Sequence, residues 1–184
     1  MKYISIDLET TGLNPDTCQI IEFAAIIDDC VSLPSSLPSF HCYLPDDYYC
    51  GEPYALSMHP TIFRRIATKE KPYQYVPLKR LASEFAKFLD KNGLRQPITA
   101  AGKNFASFDL RFLRRVPNWE KMIDIRHRIL DPAPFFWIPV LDGERLPNLA
   151  LCLERAGIHK EVAHNALDDA MDVVHLIRAV LETK

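Results

Sequence analysis

Near the start of the chain stands Asp7-Leu8-Glu9-Thr10-Thr11-Gly12-Leu13, whose two acids are the first residues spaced for chemistry. The preceding Tyr3-Ile4-Ser5-Ile6 is short, β-branched and alternating, which reads as a strand. Side chains alternate across a strand, so Ile4, Ile6 and Leu8 share one face and Ser5, Asp7 and Glu9 the other. Carboxylates so placed sit roughly 7 Å apart at Cβ, close enough for their oxygens to share one or two divalent cations. Without a cation or a basic group between them they repel each other. Thr-Thr-Gly then turns the chain and leaves N–H groups and hydroxyls beside the acids. Such a pair also fits a capped acidic turn with no further role, so its meaning rests on the acids that join it.

Two later segments supply them. In Gly102-Lys103-Asn104-Phe105-Ala106-Ser107-Phe108-Asp109, Ser107 reads as the N-cap of a helix carrying Phe108, Phe112 and Leu113. Asp109 shares the inward face with Phe112 and Leu113 at i+3 and i+4, and an inward acid needs a partner. Its plain alternative is to favour the helix N-terminus electrostatically. In His164-Asn165-Ala166-Leu167-Asp168-Asp169, helical geometry separates the adjacent acids. Asp169 falls in line with Val173, Leu176 and Val180, beside the apolar arc, whereas Asp168 falls with Asp172, His175 and Ala179 on the polar face. Asp169 is therefore the inward, functional candidate and Asp168 a solvated one. His164, just before the helix, lies where a loop can swing its imidazole toward the same site.

The positioning elements follow in order. Gln19–Ile27 is nearly continuous and apolar, a central strand; Asp28-Asp29 marks a turn, and a third strand includes Ser39–Leu44, which gives an antiparallel meander. Pro34, Pro38, Pro45, Pro53 and Pro60 predict surface loops over 31–60. A short helix is expected over 61–70, with Ile62, Phe63 and Ile66 inward and Arg64, Arg65 and Lys69 outward. Helical spacing runs from Pro77 to Asp90, with Asn92-Gly93 beyond its end. Pro97–Ala101 reads as a strand stopped by Gly102, and Met122–Ile125 as a short strand. Helices over 147–156, ended by Gly157, and over 165–181 complete the chain.

The 184 residues, 48% of them apolar, suffice for one domain with a full core over 1–184, and the net charge of −2 gives no bulk basic field for nucleic acid. A metal site binds phosphate locally, so that charge does not exclude a polyanionic substrate. The five cysteines have no C-x-x-C spacing, which argues against a zinc site or a disulfide framework and for a reducing, cytoplasmic setting. No apolar run reaches membrane-spanning length and no signal-peptide pattern opens the chain.

Asp7-x-Glu9-x-Thr11-Gly12-Leu13, Asn104-x-x-x-Phe108-Asp109 and His164-x-Ala166-x-x-Asp169 together resemble the three motifs of the DEDDh (DnaQ-like) 3′–5′ exonucleases. The branch that uses tyrosine would place it at position 165, which is Asn here. The resemblance implies an α/β, ribonuclease H-like fold: a mixed five-stranded sheet, three strands antiparallel and two parallel to the first, flanked by helices. It further implies two Mg²⁺ or Mn²⁺ ions on Asp7, Glu9, Asp109 and Asp169, with Asp7 bridging and His164 as general base. Pro53-Tyr54-Ala55-Leu56-Ser57-Met58-His59 is similar to the family's loop in which a His or Asn touches the 3′-terminal nucleotide, here His59.

Hard oxygen ligands suit those cations, and paired ions assist phosphodiester hydrolysis by activating water and stabilising both reacting oxygens. The implied activity releases nucleoside 5′-monophosphates from the 3′ end of single-stranded nucleic acid. Backbone at Thr10 and Thr11 would meet the terminal 3′-hydroxyl and Leu13 and Phe108 the last base, with Gly12 and Asn104 also among the substrate-binding residues. DNA is slightly favoured, as in a proofreading or trimming enzyme with a polymerase or repair partner; a short-RNA exonuclease is the alternative. A non-catalytic binding module would lack a metal ligand, and none is missing. A ribonuclease H-like endonuclease does not call for His164 at this spacing. Arg111, Arg114, Arg115, Arg126 and Arg128 fit a solvated face as well as a strand-binding patch.

Overall fold

The computed structural model describes residues 2–160 and 164–182. Its strands are β1 (Tyr3–Thr10), β2 (Ile20–Asp28), β3 (Ser39–Tyr43) and β4 (Ala100–Ala101). Its helices are α1 (Pro53–Met58), α2 (Pro60–Thr68), α3 (Leu78–Lys91), α4 (Asp109–Leu113), α5 (Trp119–Met122), α6 (Pro139–Asp142), α7 (Leu149–Arg155) and α8 (Ala166–Glu182). β1, β2 and β3 form the expected antiparallel meander, and β4 lies parallel to β1, in the order β3-β2-β1-β4.

Among the described residues the sheet has four strands rather than the expected five. Residues from Trp119 to Met122 are helical, and beyond β4 only isolated parallel bridges, Ile98 to Ile125 and Ala101 to Leu130, extend the sheet. Between those bridges the outer segment runs from 125 to 130 while its neighbour runs from 98 to 101, so it bows outward and forms no continuous ladder. The proline-rich stretch is more regular than its composition suggests. Pro53 and Pro60 each open a helix, the position where a missing N–H costs nothing and a fixed φ is already suitable.

The sheet is covered on both sides, which explains why β2 is buried along its whole length and reads as one apolar run. On one side Ile4, Ile6, Leu8, Phe23 and Phe40 pack against Leu81, Phe85 and Leu89 of α3, with Phe112 and Trp119. The Phe85 and Trp119 rings stack there with centroids 5.5 Å apart. On the other side Tyr3, Ala24 and Ile26 meet Ala166, Ala170, Val173 and Val174 of α8. The small Ala166 and Ala170 let the helix approach closely enough for the Ser5 hydroxyl to donate to the Ala170 carbonyl at 2.8 Å.

Asn165 caps α8: its Oδ1 accepts from the Asp168 N–H at 3.0 Å, and its Nδ2 donates to the Asp168 carboxylate at 2.7 Å. Asp168 is exposed, as expected. Asp172 is not: it is 0% exposed, because the Lys160 ammonium reaches it at 2.6 Å and lets an acid lie beneath the loop. Among the described residues no helix is long and apolar enough to cross a membrane.

Candidate active site

The acids of β1 lie on its α8 side, as alternation requires, and the first turn of α8 faces them. Carboxylate oxygens of Asp7, Glu9 and Asp169 all lie within 4.8 Å of one another. Asp109 joins from the opposite direction. It is 2% exposed, and its Oδ1 accepts from the Leu8 N–H at 3.1 Å, which fixes it against the backbone between Asp7 and Glu9. Ser107 does not cap this helix. Phe108 holds the cap position, Ser107 donates to the Asn104 carbonyl, and Asp109 itself occupies the first helical residue.

Crowding of like charge away from water disfavours ionisation. Burial, then Asp109 and Glu9, hold Asp7 well above the carboxylate range. Burial and Asp169 push Glu9 up to about 8, and burial alone drives Asp109 to about 8 against its backbone hydrogen bonds. Asp169 rises to about 7 through burial and the neighbouring Asp172, and its Oδ1 is buried without a hydrogen-bond partner. An all-oxygen donor set, raised in proton affinity and left with an orphaned oxygen, fits a hard divalent cation.

Glu22 belongs to this neighbourhood and was missed from sequence. It pairs directly across the strands with Glu9 and is fully buried. Its Oε1 lies 2.6 Å from His41 Nε2, and its Oε2 accepts the Ala166 N–H at 3.1 Å. It thereby satisfies a donor in the first turn of α8 and fixes that turn relative to β2. The available signal was a lone acid inside an otherwise apolar strand. Beyond the Glu9–Glu22 pair the register shifts, Thr10 pairing with Ile20, and this irregularity re-aims the chain at the acidic end of β1.

A cleft beside the acids, about 280 Å³, is lined by Glu9, Thr10, Gly12, Leu13, His59 and Phe108 among others. These substrate candidates are thus brought together. Leu13 is exposed at the mouth, and its N–H donates to the Glu52 carboxylate at 3.0 Å. His59 is 6% exposed, with Nε2 at 3.4 Å from Glu9.

Thr11 is not presented to the cleft. Its N–H donates to Gln19, its hydroxyl donates to Cys50 and accepts from Gln19, and its carbonyl accepts from Glu52. Its polar groups hold the loop together instead. Asn104 is also set apart, in a turn with φ 60° and its side chain bonded to Lys103. His164 is exposed, has φ 48°, and lines a second pocket together with His59. Of the arginines weighed as a strand-binding patch, Arg114 pairs with Glu120 at 3.3 Å and Arg115 with Asp16.

A mixed sheet with an acidic pair on its first strand, joined by acids from two helices, defines a ribonuclease H-like nuclease fold. The chain belongs to the RNase_T exonuclease family, whose model, described as Exonuclease, matches residues 4–177. A search of curated proteins by sequence gives no significant match. Among solved structures, the nuclease domain of 3′hExo, described as a DEDDh family member and bound to rAMP, is similar with a TM-score of 0.70 and 14% identity. That likeness covers 99% of this chain and 92% of the other. Exonuclease I of Methylocaldum szegediense gives 0.69 at 18% identity over 100% of this chain, and E. coli Exonuclease I, bound to a dT13 oligonucleotide, 0.66 at 20% over 97%. The chain spans 41% and 40% of the lengths of those two proteins.

Proposed function

We propose that this chain is a single metal-dependent 3′–5′ exonuclease domain that shortens single-stranded nucleic acid and releases nucleoside 5′-monophosphates. The observation that carries the reading is the convergence of Asp7, Glu9 and Asp169 within 4.8 Å, with Asp109 fixed beside them, at the end of a cleft. The family match supports the nuclease class, and the complete acid set argues against a binding module that has lost its ligands.

Asp7, Glu9, Asp109 and Asp169 would hold two divalent ions of the Mg²⁺ or Mn²⁺ class. When bound, these supply charge stabilisation for the phosphoryl group and acidify water at neutral pH. The chain's own groups do the rest. Leu13 and Phe108 at the cleft wall receive the terminal base without reading it, since stacking and apolar contact tolerate any base. Glu9, Thr10 and the buried His59 border the terminal sugar. His164, solvent-accessible and carrying an imidazole, takes the proton of the attacking water. The bond that breaks joins phosphorus to the 3′-oxygen of the penultimate nucleotide, so the phosphate leaves on the terminal nucleoside.

Matched 5′-labelled DNA and RNA single strands, linear and circular, with Mn²⁺ or Mg²⁺ test this. A ladder receding from the 3′ end, absent for Asp7→Ala and in EDTA, is expected, preferentially on DNA. Cutting of the circle points instead to an endonuclease, and no cleavage of any strand overturns the reading.

A further inference from the structure

A second pocket of about 220 Å³ shares Met58 and His59 with the cleft that holds Leu13 and Phe108. Its polar walls come from His59, Thr61, Arg65, His164 and Asn165. It is smaller than the cleft beside the acids and its named walls are mostly polar, which suits a compact polar group.

Arg65 gives the pocket its character. Helical spacing places it outward with Arg64, yet it turns back onto the sheet. Its Nη1 donates to the Tyr43 hydroxyl at 2.6 Å, and its guanidinium lies 4.1 Å from the Tyr73 ring centroid and 5.8 Å from that of Tyr43. Tyr43 is fully buried, so the cation is clamped against a rigid surface. Among the described residues no carboxylate lies within ion-pairing distance of Arg65, and its Nε is buried without a hydrogen-bond partner. Arg64, its exposed neighbour, instead pairs with Glu70 at 3.4 Å.

The pocket's second unmet group is on His59. One ring nitrogen faces Glu9 at 3.4 Å, while Nδ1 is buried without a partner in a side chain 5% exposed. A fixed guanidinium with donors to spare, beside the Thr61 hydroxyl and the Asn165 amide, matches a tetrahedral oxyanion. A fixed cation at the border of four carboxylates, in a chain of net charge −2, favours the approach of a polyanion.

We propose that the pocket formed by His59, Thr61, Arg65, His164 and Asn165 is a phosphate-binding subsite adjoining the acid cluster. It receives either a phosphodiester of the bound strand or the phosphate of a free nucleoside monophosphate. This rests on the exonuclease reading for its substrate, though not for the chemistry of the anion.

The test compares wild type with Arg65→Gln and Arg65→Lys, each first checked for unchanged circular dichroism and melting. Binding of inorganic phosphate and of a nucleoside 5′-monophosphate is measured by ³¹P NMR and calorimetry in EDTA. Strand KM, kcat and monophosphate inhibition are measured with Mn²⁺. Arg65→Gln should weaken phosphate binding roughly ten- to a hundredfold, the loss expected of a charged hydrogen-bonding partner; Arg65→Lys should fall between, keeping the charge without the fork. If the strand supplies the phosphate, KM rises by at least that tenfold while kcat and monophosphate inhibition hold. If the free nucleotide supplies it, inhibition weakens and KM holds. Equal phosphate affinity in all three proteins overturns the subsite, even where nuclease activity is intact. A protein that cleaves nothing yet loses phosphate binding on Arg65→Gln keeps the subsite and overturns only the nuclease reading.

Discussion

Neutralising one acid of the cluster should make the metal-free protein more stable. Glu9 sits at about 8 against an ordinary value of 4.5, chiefly through burial and then through Asp169. A carboxyl whose folded pKa is raised contributes stability that is fully present below its unfolded value and is lost as pH rises through the folded one. At pH 7 the folded carboxyl still holds its proton while the unfolded one has ionised, which costs about 3 kcal/mol relative to acid conditions, at roughly 1.4 kcal/mol per pH unit. Its side chain is 13% exposed, so solvent screening takes little from that figure. Glu9→Gln removes the cost. For a chain of this size a kilocalorie moves the melting temperature about 2–4 °C, so the variant should melt about 6–12 °C above wild type at pH 7 in EDTA. The difference should close by pH 5. His59, held below the usual histidine range by burial, loses stability as pH falls instead, which sets the opposite slope at the acid end of the scan. Scanning fluorimetry from pH 5 to 8.5, with EDTA or Mn²⁺, is the assay. Mn²⁺ should raise the wild-type melting temperature most at high pH and do less for Glu9→Gln. A variant no more stable than wild type at pH 8 without metal would refute this account of the site's electrostatics.

Three other outcomes follow from the same geometry. Asp169→Asn should lower exonuclease kcat at least a hundredfold, whereas Asp168→Asn, whose residue is exposed and whose backbone N–H still donates to the Asn165 cap, should keep most activity and stability. Arg178→Ala should cost about 3–5 kcal/mol in urea denaturation at pH 7, because it strands the buried Asp28, which now accepts from Arg178 Nη2 at 2.6 Å and from the Tyr3 hydroxyl at 2.7 Å. Gly51→Ala should raise strand KM with a smaller loss of stability, since an added Cβ would stand 2.2 Å from the Thr11 carbonyl and push the Thr11–Leu13 loop; an unchanged KM would show that this loop does not shape the cleft.

Much of the site is legible along the chain because local geometry suffices for it. Strand alternation puts Asp7 and Glu9 on one face, and the helical period turns Asp169 inward and Asp168 outward, without knowledge of any partner. The three-strand meander and the final helix follow from the same two periods. What those periods miss depends on contacts across the fold. Asp172 lies on the polar arc of α8 by angle alone, but Lys160 arrives from the preceding loop and makes its burial tolerable. Arg65 belongs to the solvent face of α2 until the Tyr43 and Tyr73 rings offer it a better surface. Glu22 is simply a charge in an apolar strand until β3 brings His41 to one oxygen and α8 brings an N–H to the other. Periodicity is carried by a residue's neighbours in sequence, so the sequence alone determined which acids could face a common point. Charge burial is decided by partners far along the chain, and only the tertiary structure settled which polar groups are satisfied and which are left open.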